Sequence, residues 1–259
     1  MAVQITTELV KELRDATGIS VMQCRRALVE AEGDMEKALV ILKKSSSDIA
    51  LKKAGRDAKD GKVMVKSEAS KAIMVALHCE TDFVSKNEDF VSLLSLLTEK
   101  AFAEGVDKMK SESKDMIDPI IQKTGENIQL GDVYLVEGST IGSYVHGGKA
   151  AVIVSLSGGT TELARDIAMH VAAMRPEYIS AEEINEDTKK TVSEIFEKEV
   201  ASIDKPEEIK KKMLDGKINT YFKEKTLTEQ PFIKNPDETI GKLLEKNSAK
   251  ISLVKRYSI

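Results

Sequence analysis

One apolar strand pattern occurs twice in this chain, and that duplication restricts the fold more than any other feature. Lys71-Ala72-Ile73-Met74-Val75-Ala76-Leu77 is echoed by Lys149-Ala150-Ala151-Val152-Ile153-Val154-Ser155-Leu156. Each run is preceded by a shorter extended segment, residues 63–68 in one case and 142–148 in the other, and each is followed by a segment of helical periodicity. After the first, Phe90, Leu93, Leu94 and Leu97 recur at helical spacing; after the second, Leu163, Ile167, Val171 and Met174 do so, with Pro176 beyond them. Two related hairpin-plus-helix units, each burying a sheet face under helices, define an α+β core. The first unit spans residues 62–140 and the second 141–259. Between the helical segments, residues 102–121 read as helix and loop, and Gly125-Glu126-Asn127-Ile128 opens an extended piece through Leu135.

Ahead of this core, residues 1–45 read as three short helices. Thr6 or Thr7 caps the first and Gly18 ends it; Ser20 caps the second and Gly33 stops it; Asp34 caps the third, with Met35, Ala38, Leu39, Ile41 and Leu42 as its apolar positions. Such a three-helix module resembles the ubiquitin-associated type of bundle, which serves in recognition and also as a packing unit. Ser45-Ser46-Ser47 and the charged stretch after it read as a partly helical linker over residues 46–61. Beyond Ser180 the composition turns to Glu and Lys. Val192, Ile195, Phe196 and Val200, then Ile209, Met213 and Leu214 across a turn at Asp204-Lys205-Pro206, predict a projecting helical hairpin over about 185–225. A short helix over 240–244 and a final strand near 251–253 close the chain.

A length of 259 residues with 41% apolar and 32% charged side chains fits two or three small domains. No apolar run reaches the roughly 18 residues of a membrane span, and residues 1–8 lack a secretory signal pattern, so the expectation is a cytoplasmic protein without membrane contact. A net charge of −4 argues against a dedicated nucleic-acid binder. Cys24 and Cys79 match no zinc or redox spacing and are expected as free thiols. His78, Cys79 and Glu80 are contiguous, and neighbouring strand residues point to opposite faces, so they cannot form a catalytic triad. His146 and His170 carry no metal-ligand pattern, and neither Gly147-Gly148-Lys149 nor Gly158-Gly159-Thr160-Thr161 has phosphate-loop spacing. The residues therefore predict no catalytic group, metal or cofactor.

What remains is recognition. Phe83 lies in the polar turn after the first apolar run and belongs to neither the strand pattern nor the helical stripe beginning at Phe90. It is either a lid on its own core or an anchor for a partner. Thr81-Asp82-Phe83-Val84, with Thr17-Gly18, Met22, Cys24-Arg25-Arg26-Ala27-Leu28, Lys52-Lys53-Ala54-Gly55, Gly125-Glu126-Asn127, His146-Gly147 and Gln230-Pro231-Phe232, closely resembles bacterial elongation factor Ts, over nearly the whole chain. That family consists of guanine nucleotide exchange factors for elongation factor Tu.

The resemblance implies specific roles. Asp82 and Phe83, flanked by Thr81 and Val84, would insert between helices of the partner's G domain beside the magnesium and phosphate site. Leu13, Val21 and Met22 would meet the same domain, while Gly125 and His146 would meet a β-barrel domain. The hairpin can mediate self-association in the family, which leaves a homodimer as an open expectation. Structural readings stand beside these: Asp82 as a helix cap, Met22 as core, Gly125 as a turn. Two departures stand out. Longer relatives continue past the last strand, whereas this chain stops at Tyr257-Ser258-Ile259, so affinity is expected to rest more on the core and first module. Glu229 replaces a glycine common before Gln-Pro-Phe. The competing classes are a scaffold protein that uses the first module, and a Cys79 thiol enzyme.

Overall fold

Local capping sets the first helices of the computed structural model, which describes residues 5–68 and 70–259. Residues 1–4, which belong to the segment read for a secretory signal and to the first module, lie outside the described residues, as does Ala69. Helix α1 (Thr7–Thr17) starts at Thr6, whose hydroxyl accepts the Leu9 N–H at 3.3 Å, and stops at Gly18, φ 66°. Ser20 and Asp34 cap α2 (Val21–Glu30) and α3 (Met35–Lys53) in the same way. The three helices enclose a small core that includes Leu13, Cys24, Leu28 and Leu42.

The expected linker over 46–61 is largely helix. α3 passes through all three serines without a break and leaves only residues 54–59 irregular. Serine costs a helix only about 0.5 kcal/mol relative to alanine, and here its hydroxyls have partners. Ser46 Oγ donates to Leu42 O at 2.9 Å and to Gln122, and Ser47 Oγ donates to Asp118 at 2.7 Å. Gln122 and Asp118 belong to α6 (below), so a second helix helps to hold the segment helical.

The duplicated strands sit at the centre of two three-stranded antiparallel sheets. In the first, β1 (Asp60–Glu68), β2 (Lys71–Cys79) and β3 (Gln129–Glu137) lie in that order, with α4 (Asp82–Lys86), α5 (Glu88–Glu104) and α6 (Val106–Thr124) between β2 and β3. Where the sequence suggests helix and loop over 102–121, α5 and α6 meet at Gly105 and helix continues to Thr124. In the second sheet β4 (Thr140–His146), β5 (Ala150–Ser157) and β8 (Lys250–Ser258) follow the same scheme, with α7 (Thr161–Met174) after β5. The insertion before β8 holds α8 (Glu186–Ala201), α9 (Glu207–Lys225), a small pair β6 (Pro231–Phe232) and β7 (Asn235–Thr239), and α10 (Ile240–Lys246).

The central strands are buried on both faces, which explains why they read as continuous apolar runs. Ile73, Val75 and Leu77 pack under Phe90 and Leu94 of α5. Val152, Val154 and Leu156 pack under Ile167 and Val171 of α7. The alternate residues Ala72 and Met74 meet Ala151 and Ile153, so the two sheets stack back to back. The contact of α7 with β4 is close enough to require glycine. A Cβ on Gly142 would lie 2.1 Å from the Arg165 nitrogen and 2.3 Å from the Ala164 carbonyl carbon. In the α8–α9 hairpin, α8 buries only Val192 and Val200 and α9 buries no residue. Phe196 and Tyr221 stack edge to face across it at 5.8 Å.

Candidate functional site

The polar turn after β2 is itself a short helix. α4 is followed at once by α5, capped by Asn87, so the expected single turn between strand and helix is a helix and a cap. The cap of α4 is Thr81, not Asp82: Thr81 Oγ1 accepts the Val84 N–H at 3.5 Å, and Asp82 occupies the first helical position with an ion pair to Lys86 at 2.7 Å. Val84 packs against the core beneath and Ser85 is fully buried, its hydroxyl donating to Asp82 O at 3.0 Å. Phe83 points the other way and is 83% exposed. The lid reading of Phe83 is thereby excluded.

A carboxylate that the sequence gives no spacing signal for braces this turn. Glu126 Oε2 accepts the backbone N–H groups of Glu80 at 3.1 Å and Thr81 at 3.0 Å, and its Oε1 accepts the Thr81 hydroxyl at 2.6 Å. The Glu80 carboxylate returns the arrangement by accepting the Asn127 N–H at 2.7 Å, and the buried Asn127 side chain donates to Arg56 O at 2.7 Å. Gly125 precedes the clasp as the left-handed terminus of α6, φ 78°, with nothing within 4 Å of where a Cβ would stand. The turn reading of Gly125 is correct, and the residue is exposed as well. Lys53, at the end of α3, donates to its carbonyl.

His146 belongs to the same end of the molecule. β2 ends at Cys79 opposite Asp60, and β3 begins at Gln129 opposite His78. The β4–β5 turn at Gly147-Gly148 abuts the start of β1: Val63 N donates to Gly148 O at 2.8 Å, and Lys149 Nζ donates to Asp60 Oδ1 at 2.7 Å and Gly61 O at 2.8 Å. Burial works against the Asp60 carboxylate, yet Lys149, the nearby Ser85 hydroxyl and the Gly61 N–H together outweigh it and hold its pKa below the ordinary value. Thus α4, residues 125–127 and the β4–β5 turn converge at one end of the stacked sheets, with His146 exposed and bonded through Nδ1 to the Tyr144 hydroxyl at 3.1 Å.

The first module divides its nominated residues. Met22 is 60% exposed and Val21 about half exposed, so Met22 is not core. Leu13 is 0% exposed and lies at the centre of the module, a correction to its expected surface role. Its helix stripe continues through Val10 into the interior, so the side chain that could reach a partner is instead consumed by packing.

The Cys79 thiol is pushed up to about 12, first by burial and then by the Asp60 and Glu126 carboxylates, so it stays protonated and cannot serve as the nucleophile a thiol enzyme needs. His170 is buried against Gln230 Oε1 at 2.8 Å, and burial pulls its pKa down. Among the described residues no three His, Cys, Asp or Glu side chains gather as a metal site would, and no helix is long and apolar enough to cross a membrane.

An exposed aromatic on a short helix whose neighbours are buried and whose first turn is held by Glu126 suits a recognition surface. Comparison with known proteins supplies the family. The profile of the Elongation factor TS family matches residues 80–259. Elongation factor Ts of Hahella chejuensis is 40% identical over 262 aligned residues, spanning 98% of this chain and 92% of that protein. The elongation factor Ts proteins of Thioalkalivibrio sulfidiphilus and Aeromonas hydrophila are also 40% identical, over 269 and 265 residues. The chain belongs to the elongation factor Ts family. Membership implies a nucleotide exchange factor for elongation factor Tu in translation elongation, a role in which binding, not bond making, is the work.

Proposed function

We propose that this chain releases GDP from elongation factor Tu by using Asp82 and Phe83 as a wedge against the helices that support the magnesium and phosphate site. The observation that carries the reading is the 83% exposure of Phe83 on a helix whose next two residues are anchored in the core. Nucleotide on a GTPase is held largely through phosphate contacts and magnesium. A rigidly mounted apolar side chain that displaces the supporting helices lowers nucleotide affinity without competing for the base. Linkage makes the effect reciprocal, so nucleotide weakens the factor's hold by the same factor. Exchange accelerates and its end point is unchanged. Val21 and Met22 on the first module, with Gly125 and His146 at the same end as the wedge, are the further contacts of this reading. It places the protein in the cytoplasm and involves no nucleic acid or membrane.

The test is a pair of measurements on Phe83→Ala: chemical denaturation of the protein alone, and release of labelled GDP from elongation factor Tu. Burying a phenylalanine side chain is worth roughly 1.5–3 kcal/mol, so exchange efficiency should fall by about that much while folding stability moves by less than about 0.5 kcal/mol. A folded Phe83→Ala protein that exchanges normally would overturn the wedge.

A further inference from the structure

Phe83 reaches solvent while the two residues after it are held in the core, so its direction also depends on what holds the start of α4. Three donors of that turn, the Glu80 and Thr81 N–H groups and the Thr81 hydroxyl, converge on one carboxylate 45 and 46 residues away in the chain. We infer that Glu126 is a positioning residue for exchange: its carboxylate holds the N-terminal turn of α4 so that Phe83 is presented ready-oriented, and it does so without touching the partner. The inference rests on the wedge reading above.

The geometry separates two ways in which Glu126 could matter. As a brace it acts through hydrogen bonds, and the two backbone donors need only one acceptor oxygen, Oε2. A glutamine at this position keeps that oxygen as its amide carbonyl, while its NH₂ group can donate to the Thr81 hydroxyl, which accepts as readily as it donates. As a charge aimed at the partner it would be lost equally in glutamine and alanine. Gly125 supports the brace. Its left-handed φ of 78° turns the chain out of α6 and aims the following residue at the β2–α4 turn. The reciprocal bond from Asn127 N to Glu80, at 2.7 Å, closes the loop on the other side.

Removing the brace lets the turn sample other conformations, and apparent affinity then falls by the fraction of molecules still competent, while the assembled complex works as before. In Glu126→Ala, the concentration giving half-maximal GDP release from elongation factor Tu should rise on the order of tenfold with little change in the maximal rate. Hydrogen exchange at the Val84 and Ser85 amides should quicken by more than the accompanying fall in the global unfolding midpoint accounts for. Glu126→Gln should recover most of both effects. In a Phe83→Ala background, Glu126→Ala should add nothing further to the exchange defect, because it acts through that side chain. Glu126→Gln as defective as Glu126→Ala, or a Glu126→Ala defect that adds in full to that of Phe83→Ala, would mean direct contact and overturn the inference. So would normal exchange by Glu126→Ala beside a defective Phe83→Ala. Normal exchange by Phe83→Ala itself would instead bring down the wedge reading, a result the other variants cannot imitate.

Discussion

Thr81 does two jobs that the sequence divides differently. Its hydroxyl accepts the Val84 N–H and also donates to Glu126, whereas the neighbouring Asp82 holds only an ion pair with Lys86 in which both partners are well exposed. Exposed pairs of this kind contribute at most about 0.5 kcal/mol. Thr81→Ala is therefore expected to lower folding stability by about 1 kcal/mol through loss of the cap. Asp82→Ala should leave the denaturation midpoint nearly unchanged, so an exchange defect in that variant would support the partner contact proposed for its side chain. A stability loss in Asp82→Ala equal to that of Thr81→Ala would return the cap to Asp82.

The duplicated strand units owe their similarity to a shared packing problem. Each central strand must bury one face under its own helix and the other against the opposite sheet, and a strand so placed has no position left for a polar side chain. Ser155 is the informative exception. It is buried within β5, and a Cβ on Gly138 would come within 2.1 Å of its hydroxyl, so the space beside it exists only because Gly138 has no side chain. The second close approach, Gly142 beneath α7, gives the sharper prediction. Gly142→Ala should destabilise the protein by at least about 2 kcal/mol, since the clash is with helix backbone rather than a flexible side chain. Gly125→Ala serves as the comparison: it meets only the strain of a left-handed residue, about 1 kcal/mol. Urea denaturation of the two variants should rank them in that order, and the reverse ranking would show that α7 can shift away from β4.

Across the whole molecule, α3 is the member that unites the first module with the core. Its first half buries Ala38 and Leu42 with α1 and α2, and its second half places Ala50 in the same cluster as Ile117 and Ile121 of α6. The pair Lys43–Asp115 at 2.7 Å and the Ser47–Asp118 bond lie between. A division of the protein at residue 45 would cut this helix in two. The structure points instead to Asp34 as the place to truncate. A chain beginning at Asp34 should keep one cooperative thermal transition for the stacked sheets and, at saturating concentration, still release GDP from elongation factor Tu, with weaker complex formation from the loss of Val21 and Met22. A chain beginning at residue 55 should have a clearly lower unfolding midpoint, because Ile117 and Ile121 lose their cover, each worth roughly 1.5–3 kcal/mol when fully buried. Complete loss of exchange in the Asp34 truncation at saturation would assign the first module a part in the exchange step itself.

The caps at Thr6, Ser20 and Asp34, the duplicated strands, and the two helices after Asn185 were set by residues within a few positions of one another, and local periodicity and capping chemistry are properties a sequence displays directly. The isolation of Phe83 from both neighbouring patterns was visible for the same reason, while the choice between lid and exposed anchor was made by the tertiary structure. Tertiary structure decided the rest. Whether Leu13 or Met22 faced solvent depended on where two other helices lay, and the serine run became helix because α6 supplied acceptors more than 70 residues away. The convergence at one end of the sheets rests on Thr81 with Glu126 and on Lys149 with Asp60, pairs separated by 45 and 89 residues. No spacing rule encodes such pairs, because it is the registry of the two sheets, fixed by burial of their central strands, that brings these charges and hydroxyls within reach.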